Sequence, residues 1–266
     1  MKQESHRREG IIPPLPQPYG HSNNTPPPSS LSIVFAKKYS ILLYIICRTR
    51  ARDEKHRKTS NTAKRLPREF FIRDGITVAK ELLGKILVHE TSQGRICGMI
   101  TEVESYMGIN DKGSHTYEGR RTERTEPMFH IGGTSYVYFT YGMYYCMNIT
   151  SEQAENPQAV LIRSVIPADD ISKERMLKLR MAVQTKKALK RKASKGELLS
   201  EKDILQMQKN TQKHLADGPG KMCIAMDITK ADNDIDMVES TSFYVTEGIE
   251  VEPAEIHIGK RIGIDY

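Results

Sequence analysis

From Leu66 onward, apolar and polar residues recur with the periods of short helices and strands. The segment "TVAKELLG" predicts a short helix capped by Thr77 and stopped at Gly84. "KILVHET" and "RICGMITEVESY", separated by Ser92, Gln93 and Gly94, predict a β-hairpin. "SYVYFT" and "YYCMNIT" predict a second hairpin around Tyr141, Gly142 and Met143, and "AVLIRSV" predicts a further strand. A helical period covers residues 172–192 and another lies near 198–213. "DGPGKMC" reads as a glycine-rich turn, followed by short strands at "TSFYVTEG" and "IEVEP". Strands grouped ahead of helices predict an α+β fold: a single domain over 65–266 around a mostly antiparallel sheet with flanking helices.

Composition sharpens this picture mainly by locating the charge. The chain has 266 residues, 38% of them hydrophobic, and a formal charge of +7. Residues 1–65 carry 13 Lys or Arg against 4 Asp or Glu, which leaves 27 against 29 for the rest, so the basic excess belongs to the N-terminal segment. Within the remainder, residues 173–195 hold ten Lys or Arg and one Glu. That run reads as a solvated helix face or as a basic stripe on an acidic body. Seven of the 13 prolines fall in "IIPPLPQPYGHSNNTPPPSS", and residues 1–64 are expected to be a disordered or appended low-complexity segment outside the fold. The apolar run 31–47 is short for a membrane span and carries Lys37 and Lys38 at its middle, so no membrane partner is expected. Cys47, Cys97, Cys146 and Cys223 show no metal-ligand spacing, which argues against a zinc site or a disulfide framework and for a reducing compartment.

Strand alternation in "MITEVESY" puts Ile100, Glu102, Glu104 and Tyr106 on one face. Carboxylates there are either solvent-facing or chemical. Six of the 18 aromatic residues lie between Tyr136 and Tyr145, and Tyr136 and Tyr138 share a face, which suggests a stacking platform for flat ligands. Tyr141 and Met143 fall at the hairpin tip, where an aromatic is either folded back or inserted into something such as stacked bases. His115 in "KGSHTYEGR" could stack on or hydrogen-bond a base. Arg163 sits in an apolar strand and needs an anionic partner: Glu102, Glu104 or a phosphate.

"EFF" followed by "VAKELLGKILV", "ITEVESYMG", "SHTYEGRRTERTEPMF", "GTSYVYFTYGMYYCMNI", "AVLIRS" and "GPGKMC" resembles, in order and spacing, the alkyladenine (3-methyladenine) DNA glycosylase family. The resemblance implies a curved antiparallel sheet with a hairpin that enters the minor groove. It also implies base excision from double-stranded DNA containing damaged purines, with no cofactor and no metal, by an intracellular monomer located with the DNA. By position, Glu104 resembles the general base that activates water, and Arg163 the residue that holds that water and Glu104. Tyr106, His115 and Tyr138 match the walls of the base slot, and Asn148 matches a pocket residue that excludes guanine. Tyr141 matches the residue that fills the gap in the duplex, while Met143, Arg120, Thr122 and Lys221 match DNA contacts. No lysine matches a family nucleophile, so a monofunctional enzyme that leaves an abasic site is expected. The family pattern continues past "RIGIDY", so the domain is expected to be truncated at its C-terminus. The alternatives are a non-catalytic or inactive nucleic-acid-binding protein, owing to that truncation, and a small-nucleoside hydrolase using Glu102 and Glu104.

Overall fold

A computed structural model of the chain describes residues 33–35 and 64–263. Among the described residues eight strands form one sheet: β1 (Ile33–Phe35), β2 (Ile86–Thr91), β3 (Gly94–Tyr106), β4 (Ser135–Thr140), β5 (Tyr144–Ser151), β6 (Gln158–Pro167), β7 (Phe243–Thr246) and β8 (His257–Gly259). Their order is β4-β5-β6-β3-β1-β8, with β2 pairing both β3 and β7, and every pair is antiparallel. The α-helices described beside the sheet are α1 (Arg68–Phe71), α2 (Gly75–Leu82), α3 (Asp170–Ala193), α4 (Glu201–Lys213) and α5 (Pro219–Ala225). The class is α+β, as the grouping of elements predicts. Of the segment placed outside the fold on sequence grounds, Ile33–Phe35 is described and pairs with β3 and β8. The Pro-rich stretch and the rest of the apolar run 31–47 lie outside the described residues. Among the described residues no helix is long and apolar enough to cross a membrane.

The long strand β3 organises the sheet. One edge pairs with β6 from Gly98 to Tyr106, while the other edge pairs with β2 in its first half and with β1 over Glu102–Glu104. Strand alternation then sorts the side chains onto two unlike faces. Val103, Val137, Met147, Ile149, Val160 and Ile162 join Val78, Ala79 and Leu82 of α2, Met176 of α3 and Met222 of α5 in one buried cluster. The neighbouring positions Tyr136 and Ala159 pack instead with Met128 and Tyr138 in a second, smaller cluster. On that second face Tyr136, Asn148, Leu161 and Glu104 are successive cross-strand partners through β4, β5, β6 and β3.

The ladder between β3 and β6 is irregular where it matters most. Ile100 pairs with Val165, Glu102 with Ser164 and Val103 with Ile162, so Thr101 on β3 and Arg163 on β6 are each left over. Such bulges re-aim side chains and recur beside active sites. The extra residue at Thr101 puts Ile100 and Val103 in the same core cluster, three positions apart. Simple alternation therefore misplaces Ile100, which does not share the face of Glu102 and Glu104.

Three further expectations are corrected. The cap of α2 is Asp74, whose carboxylate accepts from the N–H groups of Ile76 and Thr77, so the helix begins before Thr77. "DGPGKMC" turns only at Gly218 (φ 135°) and then becomes α5, because Pro219 at the first helical position presets the backbone and Met222, Cys223 and Ala225 bury one face. "IEVEP" alternates but is not a strand: the Ile249 N–H bonds to Gly84 O, a turn follows from Pro253, and the chain rejoins the sheet at β8. Replacing Asp74 by Ala should lower stability by about 1 kcal/mol, whereas Thr77→Ala should change it by only a few tenths of a kcal/mol. Urea midpoints of the two variants check this ordering.

Candidate active site

The paired bulges aim Arg163 between two carboxylates. Its Nε donates to Glu102 Oε1 at 2.7 Å and its Nη1 donates to Glu104 Oε1 at 3.0 Å. Glu104 is 1% exposed, which a carboxylate tolerates only with partners. Besides Arg163 it accepts from the Tyr106 hydroxyl at 3.0 Å and from the Ile262 N–H at 3.0 Å. Three donors and no acceptor around the group suit a carboxylate, which has no proton of its own to give. Burial and the neighbouring Glu104 carboxylate both push the Tyr106 phenol well above its ordinary pKa, so it stays protonated and donates. Burial works against the charge on Arg163, but Glu104 and Glu102 outweigh it and raise its pKa. The backbone of Arg163 is fixed as well, since its carbonyl accepts from Gly218 N at 3.1 Å.

Tyr106, His115, Met128, Tyr138 and Asn148 line a slot of about 40 Å³ beside Glu104. Its walls are aromatic and already in contact: the His115 and Tyr138 rings lie 4.7 Å apart at 73°. On this measure one water needs about 10–15 Å³, so in this state the slot admits a few waters. His115 is held by the Tyr136 hydroxyl at 2.9 Å from its Nδ1. Burial, with Arg124 and Arg120 nearby, pushes its pKa down, which leaves the imidazole neutral at neutral pH. Asn148 is buried and donates Nδ2 to Tyr136 O at 3.1 Å. Tyr136 itself is 1% exposed, so of the two tyrosines read as a stacking platform it forms the floor and only Tyr138 reaches the slot.

Outside the slot runs a groove of about 780 Å³ whose walls include His115, Arg120, Thr122 and Tyr141. Tyr141 is 86% exposed at the hairpin tip, with Met143 beside it also exposed. The turn is closed by Met143 N–H to Thr140 O at 3.1 Å, and both Tyr141 (φ 52°) and Gly142 (φ 64°) adopt left-handed backbone. Glycine adopts that conformation freely, whereas a bulky aromatic there is uncommon and strained. Lys221 lies on α5 and donates to Asp217 at 3.0 Å, one residue from the Gly218 that holds Arg163. All eleven residues singled out from the sequence thus fall on the slot, its carboxylate, the outer groove, the hairpin tip or the adjoining end of α5.

Sequence reasoning missed three residues. Arg124 places its guanidinium 5.0 Å from the centroid of the Tyr138 ring at the mouth of the slot. Arg261 and Asp111 form a buried bidentate pair, with Arg261 Nη2 donating to Asp111 Oδ1 at 2.7 Å. Arg261 also lies over the Tyr106 ring, 4.9 Å from its centroid, and Ile262 next to it donates to Glu104. Asp111 meanwhile accepts from the N–H groups of Met107 and Gly113, so the pair clamps the loop after β3 to the end of the described chain. Arg124 stands in "GRRTER", a stretch rich in arginine, but nothing periodic in "GINDKG" or "RIGIDY" marks a buried pair.

The sequence model of the family described as Methylpurine-DNA glycosylase (MPG) matches residues 69–266. Proteins named "Putative 3-methyladenine DNA glycosylase" align with the chain in several bacteria. The one from Clostridium acetobutylicum is 44% identical over 202 residues, 76% of this chain and 87% of that protein. That of Clostridium novyi is 44% identical over 206 residues, 76% of this chain and 89% of its own length. A Desulfitobacterium hafniense protein is 41% identical over 203 residues, again 76% of this chain and 89% of that protein. The chain therefore belongs to the methylpurine-DNA glycosylase family. It is a DNA glycosylase for alkylated bases, a hydrolase acting on N-glycosyl bonds.

Burial disfavours ionised Asp111, but the Arg261 guanidinium and the two backbone N–H groups outweigh it and hold the carboxyl below its ordinary pKa. The stabilisation from the pair is accordingly whole above the unfolded value near pH 4 and is lost as pH falls through the lower folded value. Asp111→Ala strands a buried guanidinium and should cost about 3–5 kcal/mol at neutral pH. Denaturant titrations repeated in increasing acid should show the difference between wild type and variant shrinking.

Proposed function

We propose that the chain hydrolyses the N-glycosidic bond of an alkylated or deaminated purine nucleotide flipped out of duplex DNA, and that it is monofunctional. The observation that carries this reading is the buried Glu104, held by Arg163 and Tyr106 behind an aromatic slot that opens onto a groove with an exposed tyrosine at its edge. Tyr141, with Met143 beside it, fills the gap left in the duplex, and Arg120, Thr122 and Lys221 hold the backbone. The base enters by widening the slot, with Tyr138 and His115 on one side and Tyr106 on the other, and Asn148 excludes guanine by clashing with its 2-amino group.

In the chemical step a water oxygen bonds to the sugar C1′ while the C1′–N bond breaks, and its electron pair leaves with the purine. The water proton passes to Glu104, and Arg163 holds water and carboxylate together. Alkylation at N3 or N7 makes the purine a cationic leaving group that becomes neutral as it departs, so selection and positioning of water suffice. No lysine lines the slot among the described residues, and Lys221 is tied to Asp217, which supports hydrolysis without a Schiff base. The product is an abasic site in double-stranded DNA, made by a monomer acting wherever the cell keeps its DNA.

One observation favours the rival reading of a protein that binds DNA without excising a base: in this state Glu104 is closed off by the Ile262 N–H. Glu104→Gln separates the two. In single-turnover assays on a duplex carrying one hypoxanthine or a 3-methyladenine analogue, the native chain should release the base. The variant should be slower by roughly 10²–10⁴-fold while binding the same duplex equally well. Equal release by both, or none by the folded native chain, rejects the role of Glu104. A borohydride-trapped covalent adduct would overturn the monofunctional step.

Tyr141→Ala should weaken binding to lesion-containing duplex, yet leave the release of a base from an already unpaired nucleotide nearly unchanged. The same assay on a duplex with the lesion opposite a gap checks this.

A further inference from the structure

Helix α3 carries nine Lys or Arg against Asp170 and Glu174. Its buried positions Ser172, Met176 and Arg180 recur every four residues and define the face that packs on the body in the first half, while Ala188 is buried in the second. The same face continues in the last turns as Lys187 and Arg191, with Lys186 and Lys190 flanking it. All four are exposed, although Ala188 on the neighbouring face is buried.

The hairpin lies against the exposed face of these last turns. Lys187 Nζ donates to the Tyr144 hydroxyl at 3.0 Å and stands 4.7 Å from the centre of its ring. Tyr144 is the first residue of β5, directly after the exposed tip formed by Tyr141, Gly142 and Met143. The cations are therefore tethered beside the element that meets DNA. Beneath them Arg180 is 3% exposed and its Nε has no hydrogen-bond partner. Among the described residues Arg180 forms no ion pair, and the nearby Asp217 is shared between His214 at 2.6 Å and Lys221 at 3.0 Å. Arg180, Lys187 and Lys221 thus outnumber the single carboxylate in this corner.

We infer that the C-terminal turns of α3 are a second DNA-backbone contact, in which Lys186, Lys190 and Arg191 neutralise phosphates of duplex flanking the nucleotide at the slot. The contact is independent of sequence and of the lesion, because phosphates carry neither. This rests on the proposed DNA reading and extends it to a surface away from the slot. A free-standing charged helix face would have no reason to be anchored through Lys187 to the hairpin. The tether also gives the phosphate track a fixed bearing relative to Tyr141.

The test uses the full chain and a short undamaged duplex, with affinity followed by fluorescence anisotropy across a salt series. The variant Lys186→Gln/Lys190→Gln/Arg191→Gln is compared with Lys178→Gln, a change in the groove that α3 forms with Thr91 and Gln93. Each lost phosphate contact lowers the slope of log affinity against log salt by about 0.9. The triple variant should lose about 2 to 3 from that slope, while Lys178→Gln matches the native chain. Its rate of base release with enzyme in saturating excess should equal that of the native chain. Native-like slope and affinity in the folded triple variant would overturn the helix contact and leave the glycosylase reading standing. A native chain that neither binds duplex nor releases a base would instead overturn that reading and this inference with it.

Discussion

Two carboxylates two residues apart on a strand face stand about 7 Å apart, and in a partly buried site their repulsion is on the order of 2 kcal/mol at an effective dielectric of about 20. Glu102 and Glu104 are kept in such a site by Arg163, which lies within hydrogen-bond distance of both. Each attraction at about 4 Å is worth roughly 4 kcal/mol on the same scale, so the triad holds together only while the guanidinium stays between them. A regular ladder would give every β6 residue a partner on β3. The leftover residues Thr101 and Arg163 break that pairing and free the arginine to sit between the acids.

The rest of the sheet accommodates this placement. Because the two leftover residues lie on opposite strands, the ladder returns to register at Val103, and Ile100, Val103, Ile162 and Val165 all keep their places in the main core. The opposite face is then free to carry Glu104, Asn148, Tyr136 and Tyr138 without interrupting the apolar layer. Neither face is a solvent face in the ordinary sense. One is sealed by helices α2, α3 and α5, the other by the aromatic cluster and by the loop that Asp111 and Arg261 clamp in place. Tyr106 joins the two arrangements, with its hydroxyl on Glu104 and its ring under Arg261.

Much of this was legible from residue order, for reasons that can be named. The period of two placed Glu102, Glu104 and Tyr106 together, and a lone arginine in an apolar strand demanded an anionic partner, which Glu102 and Glu104 both supply. The same period misassigned Ile100, because a bulge adds a residue without any change in residue type. Capping chemistry pointed to Thr77 when Asp74, three residues earlier, had the better geometry to reach two N–H groups. Glycine and proline in "DGPGKMC" announced a turn, yet the turn is one residue long and the proline begins a helix. The Arg261–Asp111 pair spans 150 residues of sequence, and only the closed tertiary structure brings such a pair together. Strand alternation picked out Tyr138 as a stacking surface, but its meeting with His115 was not legible, because the two meet across a loop whose path no periodicity describes.

The free protein also distributes its costs unevenly between hairpin and slot. At the tip, Tyr141 is exposed and held in left-handed backbone, an arrangement that stores strain of order 1–3 kcal/mol and is ready before any ligand arrives. Inside, the opposite holds: His115 packs on Tyr138 and the slot has room for only a few waters. Under the proposed function these two states are complementary. A wedge that is already extended needs no reorganisation to enter a duplex, so the work of encounter falls on opening the slot. An intact base must leave its stack and its pairing partner and then part Tyr106 from the wall formed by Tyr138 and His115. A damaged base that pairs or stacks poorly has less to lose, and a cationic purine gains an aromatic face on either side. Discrimination of this kind does not need the slot to fit one lesion closely. It needs the slot to be narrow at rest, and a volume of about 40 Å³ supplies that condition.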